Sequence, residues 1–181
     1  MRPEFLDPVE WESIIDAIDR EFGQGITKKL LGKLTPVALI DRNWRTIYLI
    51  PTSWMDLFFE EAPSGFDYHL IGKQLGVTTR DGFRISLQIL PELAQLTTKI
   101  LTVSRQGAES FTYGRSILKE SVIYLEFNLQ RNQRVLVMDK DFNCLGIASL
   151  ALDANRVGRL KPDDLVGKNL VDIGWFIRRL G

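Results

Sequence analysis

At 181 residues, 45% of them hydrophobic and 25% charged, the chain has the composition of a folded globular protein, which excludes a wholly disordered or fibrous one. The length suits one medium domain or two small ones, at ~100–200 residues per domain. Its 23 basic and 23 acidic side chains cancel, but after Thr97 they separate: the first part carries 10 Lys and Arg against 14 Asp and Glu, net −4, and the remainder 13 against 9, net +4.

Asp7-Pro8-Val9-Glu10 supplies an N-cap, a proline at the first helical position and an acidic residue at the third, whose carboxylate can share the capping of free amides. Trp11, Ile14, Ile15, Ile18 and Phe22 then recur at helical spacing, and Gly23 supplies the stop. A basic connection at Lys28 and Lys29 leads to apolar runs at 37–40 and 46–50 around a polar stretch, a hairpin pattern. Thr52 or Ser53 can cap a short helix through Trp54, Leu57 and Phe58 that Pro63 ends. Strands follow at 70–79 and 83–89 around Asp81-Gly82, and Pro91 opens a helical turn. The first half therefore reads as an α+β unit with an antiparallel sheet.

In the second half a strand is predicted at 100–103, a turn at Gly107 and a helical segment at 111–118. Strands at 122–127, 135–138 and 145–152, separated by turn residues, suggest a small barrel. Asp172 can cap a terminal helix whose Arg178 and Arg179 suit its negative end.

Rare residues narrow the chemistry. Cys144 is the single cysteine and His69 the single histidine, so neither a Cys/His zinc cluster nor a Ser/His/Asp arrangement with spare candidates can be assembled. Apolar neighbours make Cys144 a core thiol rather than a nucleophile, and His69 reads as structural at a strand start. Neither of the two commonest glycine-rich phosphate signatures occurs, and adjacent carboxylates such as Glu60 with Glu61 and Asp163 with Asp164 read as solvated positions. The opening residues lack the apolar run of a secretory signal, and no window supplies the ~18 apolar residues of a membrane helix, so a cytoplasmic protein without a membrane partner is expected.

The charge asymmetry makes the second half the better holder of a polyanion. Arg156, Arg159, Lys161 and Lys168 fall in a Gly- and Pro-containing stretch at 152–170 that reads as a surface loop, where cations can contact several phosphates. Ordinary surface cations near Asp163, Asp164 and Asp172 are the alternative. Arg115 and Lys119 join the set if folding brings their segment beside this loop.

The run Gly107-Ala108-Glu109-Ser110-Phe111-Thr112-Tyr113-Gly114, followed by Leu118-Lys119, resembles one in the Nip-seven family of large-ribosomal-subunit biogenesis factors. The later 135–139, 145–147 and 172–178 segments look like the strands and closing helix of a PUA domain, the RNA-binding module of that family. The resemblance implies an N-terminal α/β domain at 1–96, for docking assembly or RNA-processing proteins, and a PUA mixed β pseudo-barrel at 97–181. It implies a non-catalytic, monomeric protein without metal or organic cofactor that binds pre-rRNA in ribosome biogenesis, in the archaeal cytoplasm or, in a eukaryote, the nucleolus. It carries the RNA-binding role onto Arg156, Arg159, Lys161 and Lys168, with Arg115 and Lys119 as secondary contacts. Ala148 departs from the pattern, standing where PUA domains often have glycine, as do Trp175 and Phe176, which stand where Glu-Tyr is common. Trp175 is expected in the core, with base stacking as the alternative, and Asp172 as a helix cap. The competing reading is an RNA-modifying enzyme or accessory subunit with an appended PUA domain. A third makes the first half a docking module with exposed aromatics such as Trp54, Phe58 and Phe59.

Overall fold

In the computed structural model, residues 3–41, 44–59, 68–175 and 178 are described. The Asp7 carboxylate accepts from the Val9 and Glu10 amides at 2.9 and 3.2 Å and, with Pro8 behind it, starts helix α1 (Pro8–Phe22). Ile14, Ile18 and Phe22 on one face are buried, and Gly23, at φ +136°, ends the helix by donating to the Asp19 carbonyl at 2.8 Å. Glu10 makes a different contact from the predicted cap: it meets Arg45 at 3.3 Å.

The basic connection proves to be helix α2 (Ile26–Leu31). Asp19 restarts the helix by accepting from the Gly25 amide at 2.7 Å, the Thr27 amide at 2.8 Å and the Thr27 hydroxyl at 2.7 Å. An antiparallel sheet follows in the order β1 (Pro3–Phe5), β2 (Leu34–Asp41), β3 (Trp44–Pro51), β4 (Lys73–Thr79) and β5 (Gly82–Ile85). Thr52 does not cap the short helix α3 (Met55–Phe59); its hydroxyl donates to the Lys33 carbonyl at 2.9 Å and pairs with Thr35. Phe58 and Phe59 pack with Met55 and Tyr68 against Val37, Leu39, Tyr48 and Ile50, whereas Trp54 and Leu57 are exposed. The predicted stop at Pro63 lies outside the described residues. Strand β4 starts at Lys73 rather than 70, so His69 sits in an exposed bend. The chain leaves β5 at Ile85 and makes a 3-10 turn at Leu87–Ile89.

By compactness the chain divides between Ile89 and Leu90. The second unit opens with α4 (Leu90–Ala94) and contains β6 (Ile100–Val103), α5 (Arg105–Thr112), β7 (Ile117–Leu118), β8 (Val122–Leu125), β9 (Arg134–Met138), β10 (Cys144–Leu150) and β11 (Leu165–Asp172). Its sheet order is β7-β11-β10-β9-β6-β8, antiparallel except for the β6–β9 pair. Only the 3-10 turn Lys119–Ser121 separates the two edge strands in sequence, which curls this mixed sheet nearly closed, and the α+β architecture with a C-terminal pseudo-barrel is the one expected. The interior is filled by Leu101, Phe111, Val135, Val137, Ala148, Leu150 and Val166.

Two predicted elements move. Helix α5 starts at Arg105 because the Ser104 hydroxyl caps the Gly107 amide at 3.2 Å. Gly107 therefore lies inside a helix, where a Cβ would come within 2.7 Å of the Ser121 side chain, and 117–118 is extended. The stretch at 152–170 holds a 3-10 turn, Ala154–Arg159, and most of β11, so Lys168 sits on a strand. Asp172 ends that strand, and the Arg178 amide donates to the Gly174 carbonyl at 3.0 Å, one helical turn; Phe176 and Arg179 lie outside the described residues. No helix among the described residues is long and apolar enough to cross a membrane.

Candidate nucleic-acid interface

The C-terminus of α5 shows how the pseudo-barrel presents a cation. Gly114, at φ +85°, donates to the Phe111 carbonyl at 2.9 Å, and Arg115 donates to the Ser110 carbonyl at 3.1 Å. This is the paired pattern of a Schellman stop, which requires the left-handed conformation that glycine adopts without strain. The residue after that glycine usually carries an apolar side chain that packs back on the helix. Here it is Arg115, and it is exposed, as is Tyr113 before the glycine, with 74% of its surface accessible.

The corner is held from below by Asp172, only 2% exposed. Its carboxylate accepts from both terminal nitrogens of Arg178 at 2.9 Å and from Asn169 Nδ2 at 3.1 Å. Asn169 also donates to the Phe111 carbonyl at 2.8 Å, and Arg178 donates to that of Thr112. The hydrogen bond to Asp172 raises the Arg178 pKa above its ordinary value. Asp172 thus anchors β11 to the end of α5, and the bonds it accepts come from side chains rather than from the amides of a helix it caps. Trp175 is 38% exposed rather than in the core.

A second group of cations lies where β7 meets β11. The Lys119 amide donates to the Asp164 carbonyl and the Glu120 amide to that of Pro162, both at 2.9 Å, while the Asp164 carboxylate accepts from the Lys161 amide at 2.7 Å. Folding thus brings the Lys119 segment beside the 161–164 turn, with exposed Arg159 two residues before Lys161. Arg156, on the same 3-10 turn as Arg159, is exposed and faces Asp153 at 3.6 Å. Lys168 is placed apart from these: it pairs in register with Ser149, and Ser149 with Arg134, a row on the sheet face opposite Asn169 and the interior Ala148. Sequence reasoning assigned no role to Arg134 or Tyr113; the register supplies the first, and the glycine after Tyr113 was the available signal for the second.

Ala148 pairs in register with Asn169, and a Cβ on the neighbouring Gly167 would meet that of Ala148 at 3.4 Å, an ordinary contact, so nothing at this crossing demands a glycine. A cavity of about 590 Å³ lined by residues including Pro91, Tyr124, Met138, Phe142 and Cys144 contains none of the six predicted cations in its wall. Burial pushes the Cys144 thiol up to about 11, which suits a structural thiol. Burial also disfavours the Asp139 carboxylate, but hydrogen bonds from the Asn143 side chain and from the Asn143 and Asp141 amides outweigh it and hold its pKa below the ordinary value.

Residues 99–181, the second unit's sheet included, match the UPF0113 PUA domain family. Similar solved structures include a hypothetical protein from the hyperthermophilic archaeon Pyrococcus horikoshii OT3, 13% identical with a TM-score of 0.64 over 97% of this chain and 98% of that one. A conserved PUA domain protein from Thermoplasma acidophilum is 12% identical, with a TM-score of 0.61 over 99% of each chain. A PUA domain protein from Aeropyrum pernix K1, in complex with tartrate, is 12% identical, with a TM-score of 0.65 over 99% of this chain and 90% of that one. At these identities the likeness is one of fold. No curated protein matches the chain.

Proposed function

We propose that this protein binds RNA through its PUA domain without catalysis, as a large-ribosomal-subunit biogenesis factor of the Nip-seven type. The observation that carries the reading is the α5 corner, where a Schellman stop exposes Arg115 and Tyr113 instead of covering the helix end with an apolar side chain. A cation beside an exposed ring is the pairing that single-stranded RNA uses, a phosphate on one and a base stacked on the other. Lys119, Arg159 and Lys161 extend the cationic edge along the β7–β11 junction, with Arg156 beside them, and Lys168 adds a contact on the other sheet face. An assembly or RNA-processing protein docks on the N-terminal unit, where Trp54 and Leu57 are exposed, and the protein works as a cytoplasmic monomer.

Anisotropy of labelled single-stranded pre-rRNA segments, titrated with the full-length protein across a salt series, tests this. Replacing Arg115, Lys119, Arg159 and Lys161 with Gln is expected to weaken binding and flatten the slope of log affinity against log salt by about 0.7 for each phosphate no longer neutralised. Tyr113→Ala is expected to weaken binding by about 1–3 kcal/mol. Unchanged affinity and slope in these variants defeats the site assignment, and base conversion in RNA incubated with pure protein defeats the non-catalytic reading.

A further inference from the structure

The first unit carries a net negative charge, yet the loop end of its sheet concentrates arginines beside an exposed tryptophan. Register places these residues together. Thr46 lies opposite Val77, Val77 opposite Arg84, and Thr79 opposite Gly82. Because strand side chains alternate, Trp44, Thr46, Val77, Thr79 and Arg84 share one sheet face. The other face carries Arg45, occupied by Glu10 of α1 at 3.3 Å. Trp44 is 57% exposed and, with Thr79, Arg80, Asp81 and Arg84, lines an open depression of about 410 Å³. Arg80 is exposed at the tip of the β4–β5 hairpin. Arg84 meets Asp81 at 3.4 Å, and both side chains are largely exposed, so that pair contributes little and exchanges readily for a phosphate.

We propose that this face is a second binding site, for single-stranded RNA: an unpaired base stacks on the Trp44 indole while Arg80 and Arg84 hold flanking phosphates. An indole offers a broad stacking platform to any base, and two guanidiniums match successive phosphates of an extended strand. Duplex RNA is disfavoured, since its bases are already stacked and turned away from such a surface. The site rests on the RNA-binding reading for its ligand class but shares no residue with the PUA-domain surface, so the two stand or fall separately.

The test uses full-length protein and a short oligoadenylate, read both by anisotropy of a label and by quenching of tryptophan fluorescence. Trp44→Ala is expected to weaken binding about 5- to 160-fold, while Trp44→Phe keeps most of the affinity and loses most of the quenching. Replacing Arg80 and Arg84 together with Gln is expected to reduce the salt slope by about 1.4, and Asp81→Asn to tighten binding severalfold by releasing Arg84. Circular dichroism of each variant checks that its fold is unchanged. Wild-type affinity and quenching in the arginine variant overturn the proposal, as does equal quenching by an oligoglutamate peptide, which would make the face a binder of acidic protein segments. If charge removal on the PUA domain abolishes binding while the Trp44 and Arg80/Arg84 variants behave as wild type, the PUA-domain reading survives and this one falls. Binding that survives PUA-domain charge removal and depends on Trp44 gives the reverse.

Discussion

Replacing the buried Asp19 by Ala should cost the first unit a large share of its stability. The side chain is 9% exposed and accepts three hydrogen bonds, from the Gly25 amide at 2.7 Å, the Thr27 amide at 2.8 Å and the Thr27 hydroxyl at 2.7 Å. Thr27 is fully buried, so the variant leaves two of its donors without an acceptor and a third, on Gly25, partly compensated by water. At about 1–2 kcal/mol for each buried orphan, the loss comes to about 3 kcal/mol. In a unit of this size that lowers the melting temperature by more than ~10 °C. The pH dependence has a definite sign. Burial raises the Asp19 pKa, but the bonds from Thr27 and Gly25 outweigh it and hold the carboxyl below its ordinary value. Its stabilisation is therefore fully present above pH ~4 and is lost as pH falls through the lowered native value. Urea unfolding of wild type and Asp19→Ala at several pH values measures both effects. A gap below about 1 kcal/mol at neutral pH, or one that does not narrow on acidification, refutes this account of the α1–α2 junction.

Two further outcomes follow from the second unit. With its thiol pushed up to about 11, the half-buried Cys144 should react with a disulfide reagent at neutral pH far more slowly in the native protein than in urea, and equal rates would contradict the desolvation that raises it. Gly146, at φ +149° and facing the Val171 carbonyl across the bulge between β10 and β11, has no room for a Cβ. Gly146→Ala should therefore destabilise the domain by about 2 kcal/mol or more in denaturant titration, and a neutral effect would show that the bulge relaxes.

What could be read from sequence was what local chemistry decides. Helix α1 was legible because Asp7, Pro8 and the apolar spacing all act within a few residues of one another, and the paired strands around Asp81-Gly82 were legible for the same reason. Helix α5 was misplaced because Gly107, a breaker by propensity, lies inside it: Ser104 caps its start, and Ser121, distant along the chain, occupies the space a Cβ at 107 would need. Strand β11 was missed because Gly167, Lys168 and Asn169 make a poor strand in isolation. What holds them extended is pairing with β10 on one side and β7 on the other.

The candidate sites divide along the same line. Arg115 and Lys119 could be proposed from a contiguous motif, and Arg159 and Lys161 from a local density of charge. The partnership between Lys168, Ser149 and Arg134 exists only across three strands. The face that joins Trp44 to Arg84 likewise depends on the registers of β3, β4 and β5, each of which turns every second side chain the same way. A one-residue slip in any of those pairings would send Arg84 to the α1 side and leave Trp44 without a cation on its own face. The placement of Trp44 and Arg84 on one face is therefore decided by strand register, which neither composition nor net charge encodes.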